Sequence, residues 1–80
     1  MKEIQQHNKE RLQAISSFLK EYRINSGFTQ QELSEYSDVH RNSIILIEDI
    51  DLPHPPNIMT IFKLADAMEL DVNQLFLEIE

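Results

Sequence analysis

Eighty residues make room for one domain with a thin core. The lack of cysteine excludes disulfides and thiolate metal sites, and no apolar run approaches the length of a membrane span. A net charge of −7 works against nucleic acid at long range, so any docking on it must rest on charge local to one face. In chain order, the opening stretch from Met1 to Gln13 is too polar for a signal peptide, and a cytoplasmic protein is expected. Residues 3 to 26 read as one helix, because Leu12, Ile15, Phe18, Leu19 and Tyr22 recur on a single helical face. Gly27, the sole glycine, stands where a helix closes through a left-handed residue. Phe28 then stands where a Schellman cap makes its apolar contact. Such a helix is about 36 Å long, against a radius of gyration of about 12 Å for a compact body of this size. The first fourteen residues of the chain are nearly all polar, with Ile4 the only large aliphatic before Leu12. Residues 1–14 are therefore expected to form a helical extension that projects, frays or packs on a partner, and residues 15–80 the folded domain.

Thr29-Gln30-Gln31-Glu32 has the form of a capping box and predicts a helix over 30–36, with Leu33 and Tyr36 inward. Ser37-Asp38-Val39 reads as a turn, since Asp tolerates the left-handed conformation that tight turns demand. A third helix is expected over 41–49, with His40 at its cap. The run Ile44-Ile45-Leu46-Ile47 could by itself be a buried strand; the flanking helices and the lack of a pairing strand favour helix. Residues 50–57 hold Pro53, Pro55 and Pro56 and read as a loop. Asn57 is placed to cap a fourth helix, in which Ile58, Ile61, Phe62, Ala65 and Met68 keep helical spacing. Asp71-Val72-Asn73-Gln74 reads as a second capping box, opening a fifth helix with Leu75, Phe76 and Ile79 apolar.

Two short helices about a tight turn, in the middle of five, fit a helix-turn-helix. Arg23, then Gly27-Phe28-Thr29-Gln30-Gln31-Glu32-Leu33-Ser34, then Ile44, Ile47-Glu48, and Pro56 to Ala65 follow the order and spacing of a known family. On these residues the chain resembles the Cro/C1-type (XRE) helix-turn-helix family over roughly residues 15 to 76. The resemblance implies an all-α, five-helix lambda-repressor-like bundle with an extended N-terminal helix. It implies a sequence-specific regulator of transcription that binds double-stranded DNA as a homodimer, without a cofactor. The third helix would lie in the major groove, with Arg41, Asn42 and Ser43 at its leading edge and Leu46 one turn on. Arg can fork onto guanine and Asn onto adenine, while Leu46 offers apolar contact, for example to a thymine methyl. Thr29 and Gln30 would meet phosphate at a helix N-terminus, where free N–H groups and the helix dipole favour an anion. Lys20 and Arg23 are the remaining cations expected near phosphate. Arg23 and Glu48 also match a family pair that ties the first helix to the third.

The chain departs from the family at the turn glycine, replaced by Asp38, and after Glu48, where Asp49, Ile50, Asp51 and Leu52 replace polar or basic residues and a glycine. Carboxylates in a stretch that lies near phosphate in the family oppose contact there. Ile45, Ile50 and Leu52 are more apolar than a groove helix needs. Either the loop folds over them, or they form a surface for another protein. With Leu75, Phe76 and Ile79 they are the expected dimer or partner surface. The alternative function is thus a protein-interaction module derived from a helix-turn-helix, or an antitoxin-like protein with one face for DNA and one for a partner. No enzyme is expected: there is no phosphate-cradling glycine loop and no nucleophile elbow or triad. His7, His40 and His54 stand alone without ligand spacing, so no metal site is expected either.

Overall fold

A computed structural model describes residues 2–79, with side chains from residue 6 onward. Among the described residues it holds five helices and no strand: α1 (Lys2–Asn25), α2 (Gln30–Ser37), α3 (Arg41–Ile47), α4 (Ile58–Met68) and α5 (Val72–Glu78). The all-α, five-helix expectation holds, and the ambiguous run at 44–47 is helix.

Local chemistry accounts for most boundaries. Gly27, at φ 84°, ends α1 in a Schellman motif. There the Phe28 N–H donates to the Arg23 carbonyl at 3.2 Å and the Gly27 N–H to the Ile24 carbonyl at 3.0 Å. The capping box at α2 is complete: the Glu32 N–H donates to Thr29 Oγ1 at 3.0 Å, and the Thr29 N–H to Glu32 Oε1 at 2.9 Å. This exchange holds the Glu32 carboxyl below its ordinary 4.5, the Thr29 backbone N–H contributing most. Asn57 Oδ1 caps α4 by accepting the Thr60 N–H at 2.8 Å. At α5 the expected box is half made, for Asp71 Oδ1 accepts the Asn73 N–H at 2.9 Å without a reciprocal bond from Gln74. Asp38, at φ 61°, turns the chain out of α2 as expected. Two hydroxyls brace the turn: Ser34 Oγ donates to the Val39 carbonyl at 2.7 Å, and the Val39 N–H donates to Ser37 Oγ at 3.2 Å.

α2 packs on both α3 and α4, and α5 packs on α1 and α4. Between them lies a core of Leu19, Leu33, Val39, Ile44, Ile47, Ile61, Leu64, Ala65, Met68, Leu70 and Leu75. Ile15, Phe18 and Tyr22 extend it along α1, while residues 6–11 of that helix are exposed. The exposed start of α1 carries the long axis to 39 Å, against 24 and 21 Å across.

Three expectations need correction. Tyr36 is not inward: it is 73% exposed and meets Phe28 edge-on, with ring centroids 5.3 Å apart. Helical spacing left the inward face of α4 open, and the fold sets it at Ile61, Leu64, Ala65 and Met68, with Ile58 and Phe62 exposed. Leu75, assigned to a dimer or partner surface, is 0% exposed, because the packing of α5 on α1 and α4 turns it into the core. The third helix, expected to run to residue 49, stops at Ile47, with Glu48 as its C-cap and its N–H bonded to the Ile44 carbonyl.

Candidate nucleic-acid interface

The sequence of α3 divides its surface sharply. Ile44 and Ile47, three apart, are buried and seat the helix on the core. Arg41, Asn42, Ser43, Ile45 and Leu46 are exposed. The expected base-reading residues therefore lie together on the solvent side. His40 precedes them without a side-chain cap bond, its carbonyl accepting the Ile44 N–H at 3.1 Å.

The inner end of α3 is held by α1. Gln13, Ser16, Lys20 and Arg23 recur at helical spacing and share one face of α1. Ser16, fully buried, donates from Oγ to the Ile47 carbonyl at 2.6 Å, satisfying an orphan acceptor at the end of α3. Arg23 grips Glu48 with two nitrogens, Nε to Oε2 at 2.7 Å and Nη2 to Oε1 at 3.0 Å. Its third nitrogen, Nη1, donates to the Phe28 carbonyl at 2.7 Å. Gln30 Nε2 adds a bond to Glu48 Oε1 at 3.1 Å. Gln13 Nε2 donates to the Ile50 carbonyl at 3.2 Å, extending the attachment into the loop.

This arrangement redistributes the expected phosphate contacts. Arg23 is 8% exposed with all three nitrogens engaged, so its guanidinium faces inward to the structural pair and away from any phosphate. The Gln30 amide is likewise committed to Glu48, while the first turn of α2 keeps Thr29 exposed. Lys20 is half-buried. Sequence reasoning missed Ser16 and Gln13. The available signal was the seven-residue interval between Ser16 and Arg23, which places a hydroxyl beside the ion pair on the same helical face.

The proline-bearing loop leaves the tip of α3 open. Asp49 accepts the N–H groups of Asp51 and Leu52, at 3.1 and 3.2 Å, and so turns the chain back towards α1. Leu52 and Pro53 lie beside Asn8, Lys9 and Leu12. The chain then returns along the flank of α3, where the His54 N–H donates to the Leu46 carbonyl at 3.2 Å. Of the apolar residues expected to face a partner, Ile45, Ile50, Leu52 and Phe76 are exposed and Ile79 is half-buried. Leu77, which was not among them, is 67% exposed.

A sequence model of the helix-turn-helix family covers residues 19–75, which takes in α2, the turn, α3 and α4. Searches of curated proteins and of solved structures gave no significant match. Among the described residues no helix is long and apolar enough to cross a membrane.

Proposed function

Because the chain belongs to the Cro/C1-type helix-turn-helix family of DNA-binding regulatory domains, we propose that it is a sequence-specific transcriptional regulator whose homodimer enters the major groove with α3. The observation that carries the reading is the contrast between the two sides of α3. Its back is locked to α1 through Ser16, Arg23 and Glu48, while Arg41, Asn42 and Ser43 stand uncovered at its tip. A groove helix needs both properties: a fixed angle and free side chains at its leading end. Arg41 and Asn42 read base edges, with Ser43 and Leu46 alongside. Phosphate is met by the first turn of α2, at Thr29 and the backbone of Gln30, and by Lys20. The protein works in the cytoplasm, without catalysis.

The test is selection of a preferred duplex from random sequence, followed by fluorescence polarisation. Each forked base contact is worth about 1–3 kcal/mol of discrimination. Arg41→Ala with Asn42→Ala should therefore reduce the preference for the selected site by at least about tenfold. An undiminished preference would remove α3 from the reading role.

A second reading, a protein-interaction module with weak or no DNA binding, draws on two observations. Leu52 is 73% exposed beside Asp49 and Asp51, and the chain carries a charge of −7. A wild-type protein that ignores mixed-sequence duplex at low salt would favour it.

A further inference from the structure

We infer that a second copy of this chain docks in the groove between the start of α1 and the 49–53 loop, with Lys9 of each copy set against Asp51 of the other. The inference rests on the homodimer reading and deepens it by naming the surface through which the two copies meet. The groove, of about 360 Å³, is lined by Asn8, Lys9 and Leu12 of α1 and by Asp51, Leu52 and Pro53 of the loop. Leu12, Leu52 and Pro53 make its lining largely apolar, and Leu52 is 73% exposed. Its two sides carry opposite charges, Lys9 on the helix and Asp51 on the loop. Both are exposed and neither is paired within the chain: among the described residues the ion pairs are those of Arg23 with Glu48 and of Lys63 with Asp38.

The two sides are fixed before a partner arrives. Gln13 Nε2 ties α1 to the Ile50 carbonyl at 3.2 Å, and Asp49 Oδ1 holds the N–H groups of Asp51 and Leu52. A surface ordered beforehand loses less entropy on docking. Residues 6–11 of α1 are exposed and stand clear of the body, so a second copy has open approach. The opposite charges select that occupant. A two-fold axis makes every contact between unlike residues occur twice, once in each sense. The Lys9 side of one copy then faces the Asp51 side of the other at both contacts, and both charges are answered without a third molecule. A uniformly acidic partner would be repelled by Asp51 and a uniformly basic one by Lys9. The apolar lining supplies the affinity, and the charge pairs set the register. This division lets two copies associate although each carries −7.

The experiment is sedimentation equilibrium on the full chain, without DNA, at about 0.1 M salt, with each fold checked by circular dichroism. Lys9→Glu sets carboxylate against carboxylate twice, and Asp51→Lys sets ammonium against ammonium twice. Each alone should weaken the dimer by about tenfold. Asp51→Lys is the sharper arm, because it lowers the overall repulsion between two acidic copies and should weaken the dimer nonetheless. An equimolar mixture of the two variants should associate about as tightly as wild type, since opposite charges then meet at both contacts. Leu52→Ser should weaken the dimer by about tenfold or more. Lys63→Glu, the same change of net charge on α4, should stay near wild type. A mixture no tighter than its separate components, or a dimer indifferent to Leu52→Ser, overturns this surface and leaves the homodimer reading standing. A wild type that sediments as a monomer at every concentration overturns both and gives the groove to a dissimilar partner.

Discussion

The carboxylate of Glu48 receives three N–H donors, from Arg23 Nε and Nη2 and from Gln30 Nε2. Two charges taken out of water incur several kcal/mol each in desolvation, and the pair is tolerable only because every strong donor finds a partner. Removing one member should therefore be worse than removing both. Glu48→Ala leaves a buried guanidinium and should cost about 3–5 kcal/mol, against a total of about 4–12 kcal/mol for a domain of this size. Arg23→Met with Glu48→Leu, which fills the same space with apolar atoms, should recover most of that loss. Urea unfolding checks both; a double variant as unstable as Glu48→Ala would mean that the network acts through more than its charges. Glu32 poses the opposite case, an exposed carboxylate bonded to the Thr29 N–H and held below 4.5. A depressed folded value gives stability that is complete above the unfolded value and fades as pH falls through the folded one. Wild type should thus exceed Glu32→Gln in stability by most above about pH 5, the gap closing as the solution is acidified below about pH 4. A gap that stays constant in acid would deny the carboxylate its part in the cap.

Helix ends differ in how openly the residues announce them. The close of α1 was legible because the sole glycine stands at its left-handed position. The close of α4 uses the same hydrogen bonds, Leu70 N–H to the Ala65 carbonyl at 2.8 Å and Glu69 N–H to the Asp66 carbonyl at 3.3 Å. There Glu69 takes φ 54°, a conformation that Glu does not signal. Its geometry is imposed from outside, since Leu70 must reach the core, where it is 6% exposed. Glu69→Gly should relieve the left-handed strain and, net of glycine's greater unfolded freedom, stabilise the fold by up to about 1 kcal/mol in thermal or urea unfolding. A loss of stability would place the strain elsewhere. The same distinction explains the apolar assignments. Spacing marked α4 and α5 as amphipathic, but neighbours such as Leu75 and Phe76 sit only 100° apart on a helix. The contacts of α5 with α1 and α4 decide that Leu75 goes in and Phe76 stays half out. At the candidate site the Arg23–Glu48 pair was legible through the family resemblance, which implied it and which the bridge bears out. For Ser16 the interval to Arg23 marked a shared face but not a role, because a hydroxyl beside an apolar stripe looks like any solvated serine until the Ile47 carbonyl is placed against it.

At the scale of the whole molecule, a charge of −7 must coexist with a DNA-binding face. The cations assigned to that face are Arg41 and Lys20, since Arg23 is turned inward. With about 0.9 per phosphate neutralised, a dimer should show a log–log salt slope of about −2 to −4 near neutral pH. A slope near −10 would contradict the contacts proposed here. Two acidic protomers also repel each other, and salt weakens that repulsion over a Debye length of about 10 Å at 0.1 M. The exposed Leu52, Phe76 and Leu77, at 73%, 45% and 67%, provide the apolar surface that a second copy could cover. Salt should therefore tighten the proposed dimer while it loosens that dimer's hold on DNA. Well above the dimer dissociation constant, polarisation should fall steadily with salt. Well below it, binding should first rise as dimers form and fall only when counterions displace the protein from phosphate. Sedimentation over the same salt range locates the crossover, and a curve that falls at every protein concentration would show that one copy is enough to bind.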